Sequence, residues 1–191
     1  RGIYYPTSRR SIYFMNFISQ KINGLFLIIP DLHIDERGVF RRSFCKEVFE
    51  KNGVNFNSLQ GNISENFNKH TLRGFHYQLS PSNESKIITC VTGSLFNIVL
   101  DLRKKSNTYK QWSALEINSK KRQSIYVPAG CANAFLTLEE NTIVHYYMND
   151  SYNPNTYKGI RYNDPSFSFK WPFEPKIISE KDLNLPDFID G

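Results

Sequence analysis

Residues 87–102 read IITCVTGSLFNIVLDL. Two runs of apolar and β-branched residues flank the turn residue Gly93, which predicts two strands. In the second run Phe96, Ile98, Leu100 and Leu102 share one face while Asn97 and Asp101 lie on the other, the period of two of a pleated strand. The pattern continues outward from there. Leu25 to Ile29 reads as a strand ending at Pro30, and Trp112–Ile117, Gln123–Val127, Ala134–Leu138 and Ile143–Met148 read as further strands separated by Pro128, Gly130 and Asn141. Glu47–Lys51, stopped by Asn52-Gly53, is the one short helix predicted in this part of the chain. Regular short strands with few helical periods predict an all-β antiparallel sandwich or barrel, a jelly-roll-like domain with the Pro-interrupted tail 171–191 packed irregularly on it.

Composition narrows the possibilities. With 40% hydrophobic and 22% charged residues among 191, wholesale disorder is excluded, and 15 Phe and 11 Tyr suit a β-rich fold. No run approaches the roughly 20 apolar residues that span a bilayer. Cys45, Cys90 and Cys131 are odd in number and form no C-x-x-C pair, so a reducing cytoplasm is expected. Residues 1–14 have Arg, Tyr and Ser where a secretory apolar region would stand; they are expected to be a leader or appended segment, with the domain over 15–191. The net charge of +6 raises the question of nucleic acid or a membrane surface. Arg103-Lys104-Lys105 and Lys120-Lys121-Arg122 sit beside turn residues as solvated ends, and no nucleic-acid motif accompanies them. Arg1, Arg9 and Arg10 fall in residues 1–14, which contain no acid, leaving 21 basic against 18 acidic residues in the remainder. That excess fits a small anionic substrate better than a polyanion.

The densest polar and aromatic cluster is Leu72-Arg73-Gly74-Phe75-His76-Tyr77-Gln78. A neutral imidazole accepts a proton near pH 7, and a nearby guanidinium holds an anionic group such as phosphate. Alone, His76 reads as a strand-end histidine bonded to its neighbours. A metal site of the kind jelly rolls often carry needs an H-x-H pair, a nearby carboxylate and a later histidine. His33, His70 and His145 show no such spacing, so no metal and no cofactor is expected.

Asp35-Glu36-Arg37-Gly38, Gln60-x-Asn62, the LRGFHYQ run, Ser85-Lys86, Asp101-Leu102-Arg103-x-x-Ser106-x-Thr108, Pro128-Ala129-Gly130, Tyr152-Asn153-Pro154, Tyr162-Asn163-Asp164-Pro165, Trp171-Pro172 and Ser179-Glu180-Lys181-Asp182 occur in this order. Each is weak alone; ten in register are specific. From about Leu25 to Asp187 the chain resembles the dTDP-4-dehydrorhamnose 3,5-epimerase family, a metal-free branch of the cupin-type jelly rolls.

The resemblance implies a nucleotide-diphospho-4-keto-6-deoxy sugar as substrate, epimerised at C3, C5 or both in deoxysugar biosynthesis. The C4 carbonyl acidifies the hydrogens at C3 and C5, so the reaction needs a base on one face, an acid on the other and a donor at the developing enolate. By resemblance His76 is the base, Asp182 its partner, Tyr146 the acid and Lys86 the enolate stabiliser. Taken singly, Tyr146 reads as core, Lys86 as a solvated strand-end lysine and Asp182 as a cap in the tail; the joint pattern overturns these readings. Arg37, Gln60, Asn62, Arg73 and Tyr152 match positions that hold the nucleotide. Arg37 comes from a strand that family members exchange between subunits, which implies a homodimer.

Two departures stand out. Asn133 replaces a histidine of the family's Gly-Phe-Ala-His-Gly-Phe pattern, keeping hydrogen bonding but losing a titratable group. Arg42 stands where an acidic residue near the base is usual, and arginine can only donate, so a carrier base with an acceptor edge, cytosine or guanine, is an alternative to thymine. Three competing functions remain: a single-centre 3-epimerase; a 3,4-ketoisomerase, disfavoured by the intact LRGxHxQ and SEKD motifs; and a non-catalytic sugar-nucleotide-binding protein.

Overall fold

The computed structural model describes residues 14–190. The expected leader, apart from Phe14, lies outside the described residues. In chain order the elements are β1 (Met15–Ser19), β2 (Phe26–Pro30), β3 (Leu32–Asp35), β4 (Gly38–Arg41), α1 (Lys46–Lys51), β5 (Gln60–Asn66), β6 (Leu72–Gln78), β7 (Lys86–Thr92), β8 (Ser94–Asp101), β9 (Trp112–Asn118), β10 (Ser124–Val127), β11 (Cys131–Thr137), β12 (Thr142–Met148), β13 (Tyr157–Gly159) and α2 (Glu180–Leu183). A six-stranded sheet in the order β1-β2-β10-β7-β12-β5 and a five-stranded sheet in the order β13-β6-β11-β8-β9 form the body, and among the described residues β3 and β4 pair only with each other. This is the all-β jelly roll expected from the sequence.

The two strands around Gly93 are not partners. β7 pairs with β10 and β12, whereas β8 pairs with β11 and β9. The turn carries the chain from one sheet to the other, and Gly93 permits it with φ +77°. A Cβ there would lie 2.4 Å from the Thr142 hydroxyl, so only glycine fits.

The faces of β8 separate as the alternation predicts, yet both are buried. Leu95 and Val99 join Ile88, Ile125, Phe135 and Val144 in the core between the sheets. Ile98 and Leu100 pack on the opposite side against Phe75, Ala132, Ala134 and Phe167, with Phe169, Trp171 and Phe188 of the tail over them. The tail is pinned by direct bonds: Trp112 Nε1 donates to the Phe167 carbonyl at 3.0 Å and Trp171 Nε1 to that of Tyr162 at 3.0 Å. The outer face of the six-stranded sheet is covered in turn by α1 and the segment after it, through Phe49, Val54 and Phe56. Apolar side chains therefore cover much of both faces of each sheet, and a space is left open between the two sheets.

Asp101 shows how a polar residue survives in this interior. Its carboxylate is fully buried and accepts from Arg103 Nε and Nη2 at 2.8 and 2.7 Å, and from the Ser106 and Thr108 hydroxyls at 2.6 Å each. Burial pushes its pKa up, but these donors together outweigh burial and hold it down at about 2. A carboxyl depressed in the folded state contributes stability above its unfolded value, near 3.9, and loses it as pH falls through about 2. Asp101→Asn is expected to cost about 3 kcal/mol at pH 7, read by urea unfolding, and the gap from wild type is expected to close as pH drops from about 4 towards 2.

Candidate active site

The space between the sheets opens into a cavity of about 560 Å³ lined by β5, β6, β7, β11, β12 and the segments holding Tyr152, Tyr157 and Lys181. β6 reaches it through an irregularity. Residues three apart on a regular strand face opposite sides, yet Arg73 and His76 both line the cavity. The pairing explains this: Asn133 opposes His76 while Phe135 opposes Arg73, so three positions on β6 match two on β11. A bulge of this kind re-aims side chains. Gly74 sits in it with φ +115°, and a Cβ would fall 2.6 Å from the Asn133 carbonyl oxygen.

The backbone N–H of Gly74 also donates to Asp182 Oδ2 at 3.1 Å, while Asp182 Oδ1 lies 2.8 Å from His76 Nε2. Asp182 is placed by α2, whose N-cap Ser179 accepts from the Asp182 N–H at 3.1 Å. Burial pushes the Asp182 carboxyl up, but the His76 hydrogen bond and charge and the Gly74 N–H together hold it below the usual carboxylate range. It is therefore an anion at neutral pH, and it fixes His76 with the other ring nitrogen available to the cavity.

Tyr146 projects from β12, on the opposite sheet. Burial raises its pKa, the Arg73 charge lowers it and the Glu84 charge raises it, with a net upward shift, so the phenol keeps its proton. Lys86, at the start of β7, is largely buried. Its Nζ lies 2.8 Å from Glu84 Oε1 and 3.5 Å from Asn133 Oδ1. Tyr157 leans on His76 with ring centroids 5.3 Å apart, and Lys181 Nζ sits 4.3 Å over the Tyr157 ring. At the mouth, Gln60 Nε2 donates to Asn62 Oδ1 at 3.0 Å and Gln60 Oε1 accepts from the Tyr152 N–H at 3.2 Å. Arg73 Nε is held by Asn66 Oδ1 at 2.8 Å. Among the described residues no group of three or more His, Cys, Asp or Glu side chains is placed to hold a metal ion.

One side of this cavity thus offers an imidazole backed by a carboxylate, and the other a protonated phenol, with cations between: a layout for moving protons at two faces of an anionic substrate. A family model described as dTDP-4-dehydrorhamnose 3,5-epimerase matches residues 19–190. The chain belongs to the dTDP-4-dehydrorhamnose 3,5-epimerase family. A relative of that name from Methanothermobacter thermautotrophicus is 34% identical over 171 residues, covering 88% of this chain and 91% of its own length. The crystal structure of dTDP-4-dehydrorhamnose 3,5-epimerase from Bacillus anthracis str. Ames, with TDP and PPi bound, aligns with a TM-score of 0.89 at 34% identity over 92% of this chain and all of its own. The crystal structure of dTDP-6-deoxy-D-glucose-3,5-epimerase from Legionella pneumophila Philadelphia 1, in complex with dTDP-4-keto-L-rhamnose, aligns with a TM-score of 0.86 at 31% identity over 91% of this chain and 93% of its own.

Of the residues that resemblance to the epimerase family singles out, His76, Tyr146, Lys86, Gln60, Asn62, Arg73, Asn133 and Tyr152 line the cavity, and Asp182 stands behind His76. Arg37 and Arg42 do not line it. Arg37 sits at the tip of the β3–β4 hairpin, bonded to Asp35 and lining a separate cleft with His33 and Phe40. Arg42 follows that hairpin on the way to α1. Among the described residues the hairpin pairs with no other strand, and its tip lines a cleft apart from the cavity. Glu84, Tyr157 and Lys181 also line the cavity, and sequence reasoning missed them. Glu84 was findable, because a residue two before Lys86 in an extended segment shares its face; Tyr157 carries no comparable signal.

Proposed function

We infer that this chain epimerises a nucleotide-diphospho-4-keto-6-deoxy sugar at C3, C5 or both, through an enolate. The observation that carries the reading is the Asp182-backed His76 facing the protonated Tyr146 from the opposite sheet. His76 removes the proton α to the carbonyl, Lys86 donates to the C4 oxygen as negative charge develops there, and Tyr146 returns a proton from the other face. Arg73 and Lys181 supply positive charge for the diphosphate, and Gln60, Asn62 and Tyr152 meet the nucleoside at the mouth. The carrier is dTDP by the likeness to relatives that act on it. Comparing turnover of dTDP-, CDP- and GDP-linked 4-keto sugars tests this: preference for dTDP is expected, and preference for CDP or GDP would overturn it.

The active form is a homodimer of cytoplasmic subunits, with residues 15–191 as the epimerase domain. A lone two-stranded hairpin is marginal in water, yet β3–β4 stands with Ile34 66% and Phe40 64% exposed. β5 is a sheet edge that also leaves Ile63 and Phe67 uncovered. A partner hairpin laid along that edge would cover all four and bring a second Arg37 to the cavity mouth. Ile34→Asp is expected to shift the sedimenting species from dimer to monomer. Arg37→Ala is expected to leave the dimer intact and raise KM about 10- to 10²-fold with little change in kcat. An unchanged KM for Arg37→Ala removes the exchanged strand from the site.

A further inference from the structure

Glu84 has no place in the proton transfers. A carboxylate buried in a cavity that receives a diphosphate repels the substrate unless its charge is put to use. It is also fully anchored. Oε2 accepts from Gln78 Nε2 at 2.7 Å, and Gln78 is held in turn through the Ser151 carbonyl, the Asn153 N–H and the Thr156 hydroxyl. Oε1 meets Lys86 Nζ at 2.8 Å.

An ammonium group has three N–H donors and no acceptor. The atom of Asn133 that faces Lys86 must therefore be its amide oxygen, and its nitrogen then donates to Asn97 Oδ1, as the 3.2 Å contact records. Two of the three Lys86 donors are thereby spoken for by groups fixed in the sheets, which leaves one direction open to the cavity. A lysine on a four-carbon stem would otherwise turn to the strongest anion present, the diphosphate.

We propose that Glu84, with Asn133 as its second arm, is a positioning residue that holds Lys86 aimed at the sugar carbonyl oxygen rather than at the diphosphate. The inference rests on reading the cavity as an epimerase site. A donor fixed in advance acts on the transition state more than on the ground state, so the effect falls on kcat.

Glu84→Gln keeps the shape and one acceptor while removing the anion. It is expected to lower kcat by about 10- to 10²-fold with KM unchanged or lower. Because Glu84 acts through Lys86, Glu84→Gln/Lys86→Met is expected to be no slower than Lys86→Met alone. Asn133→Ala, should Glu84→Gln fail to fold, is expected to show the same kcat loss and the same non-additivity. Wild-type kcat in both variants, or losses that multiply with Lys86→Met, overturns the positioning role alone. A wild-type enzyme that binds dTDP but turns over no 4-keto sugar overturns the reading of the cavity, and this inference with it.

Discussion

Replacing His76 by Asn is expected to lower kcat by about 10²- to 10⁴-fold, the usual loss for a positioned base. The substituted amide would retain a donor and an acceptor near Asp182 but could not take up a proton at neutral pH. The effect should fall on kcat and on deuterium uptake alike, because no enolate forms without the first abstraction. Asp182→Asn is expected to approach the same loss by a different route. The carboxylate does not touch the substrate; it holds the imidazole at 2.8 Å and favours its charged form once the proton has arrived. The folded Asp182 carboxyl is depressed, so its stabilising contact is present above the ordinary carboxylate pKa of about 4 and is lost as pH falls below it. The melting-temperature difference between wild type and Asp182→Asn should therefore be largest near neutrality and shrink below about pH 4. A difference that persists unchanged to pH 3 would mean that the buried side chain contributes by packing rather than by charge.

Tyr146→Phe is expected to separate exchange from epimerisation. With His76 intact, the α-proton still leaves and solvent deuterium still returns, but from the side on which it left. The substrate should gain deuterium while inverted product falls by about 10²-fold or more. Loss of inversion and exchange together would show that the phenol serves the first step as well. Product formed at the wild-type rate would remove Tyr146 from the chemistry and leave Tyr157, raised by burial and by the Asp182 charge, as the remaining phenol beside His76.

Much of this arrangement is legible in the sequence, and the parts that are not have physical causes. Alternation in 94–101 was enough to place β8 and to separate its faces, because both carry apolar side chains that must be buried. The same periodicity could not show that Gly93 joins two sheets instead of two neighbours, since a turn glycine serves either end. β5 was hidden because QGNISEN turns Gln60, Asn62 and Ser64 towards a polar cavity, so neither face looks like core. The bulge at Gly74 was equally invisible: Arg73 and His76, three apart, belong to opposite faces of any regular strand. The pairing of His76 with Asp182, 106 positions away in sequence, was reachable only through the family motifs, as no local rule joins them. Glu84 was within reach of simple strand periodicity, but a lone carboxylate before a lysine reads as a surface pair until its burial is known.

The most direct measurement is proton NMR of a dTDP-linked 4-keto-6-deoxy sugar incubated with the wild-type protein in D₂O. Two-face enolate chemistry predicts deuterium at C3 and at C5, accumulating with inverted product. Deuterium at one carbon alone would narrow the activity to a single centre, and a 3-keto product would make the protein a ketoisomerase. A substrate that binds and yet exchanges at neither carbon would contradict the account.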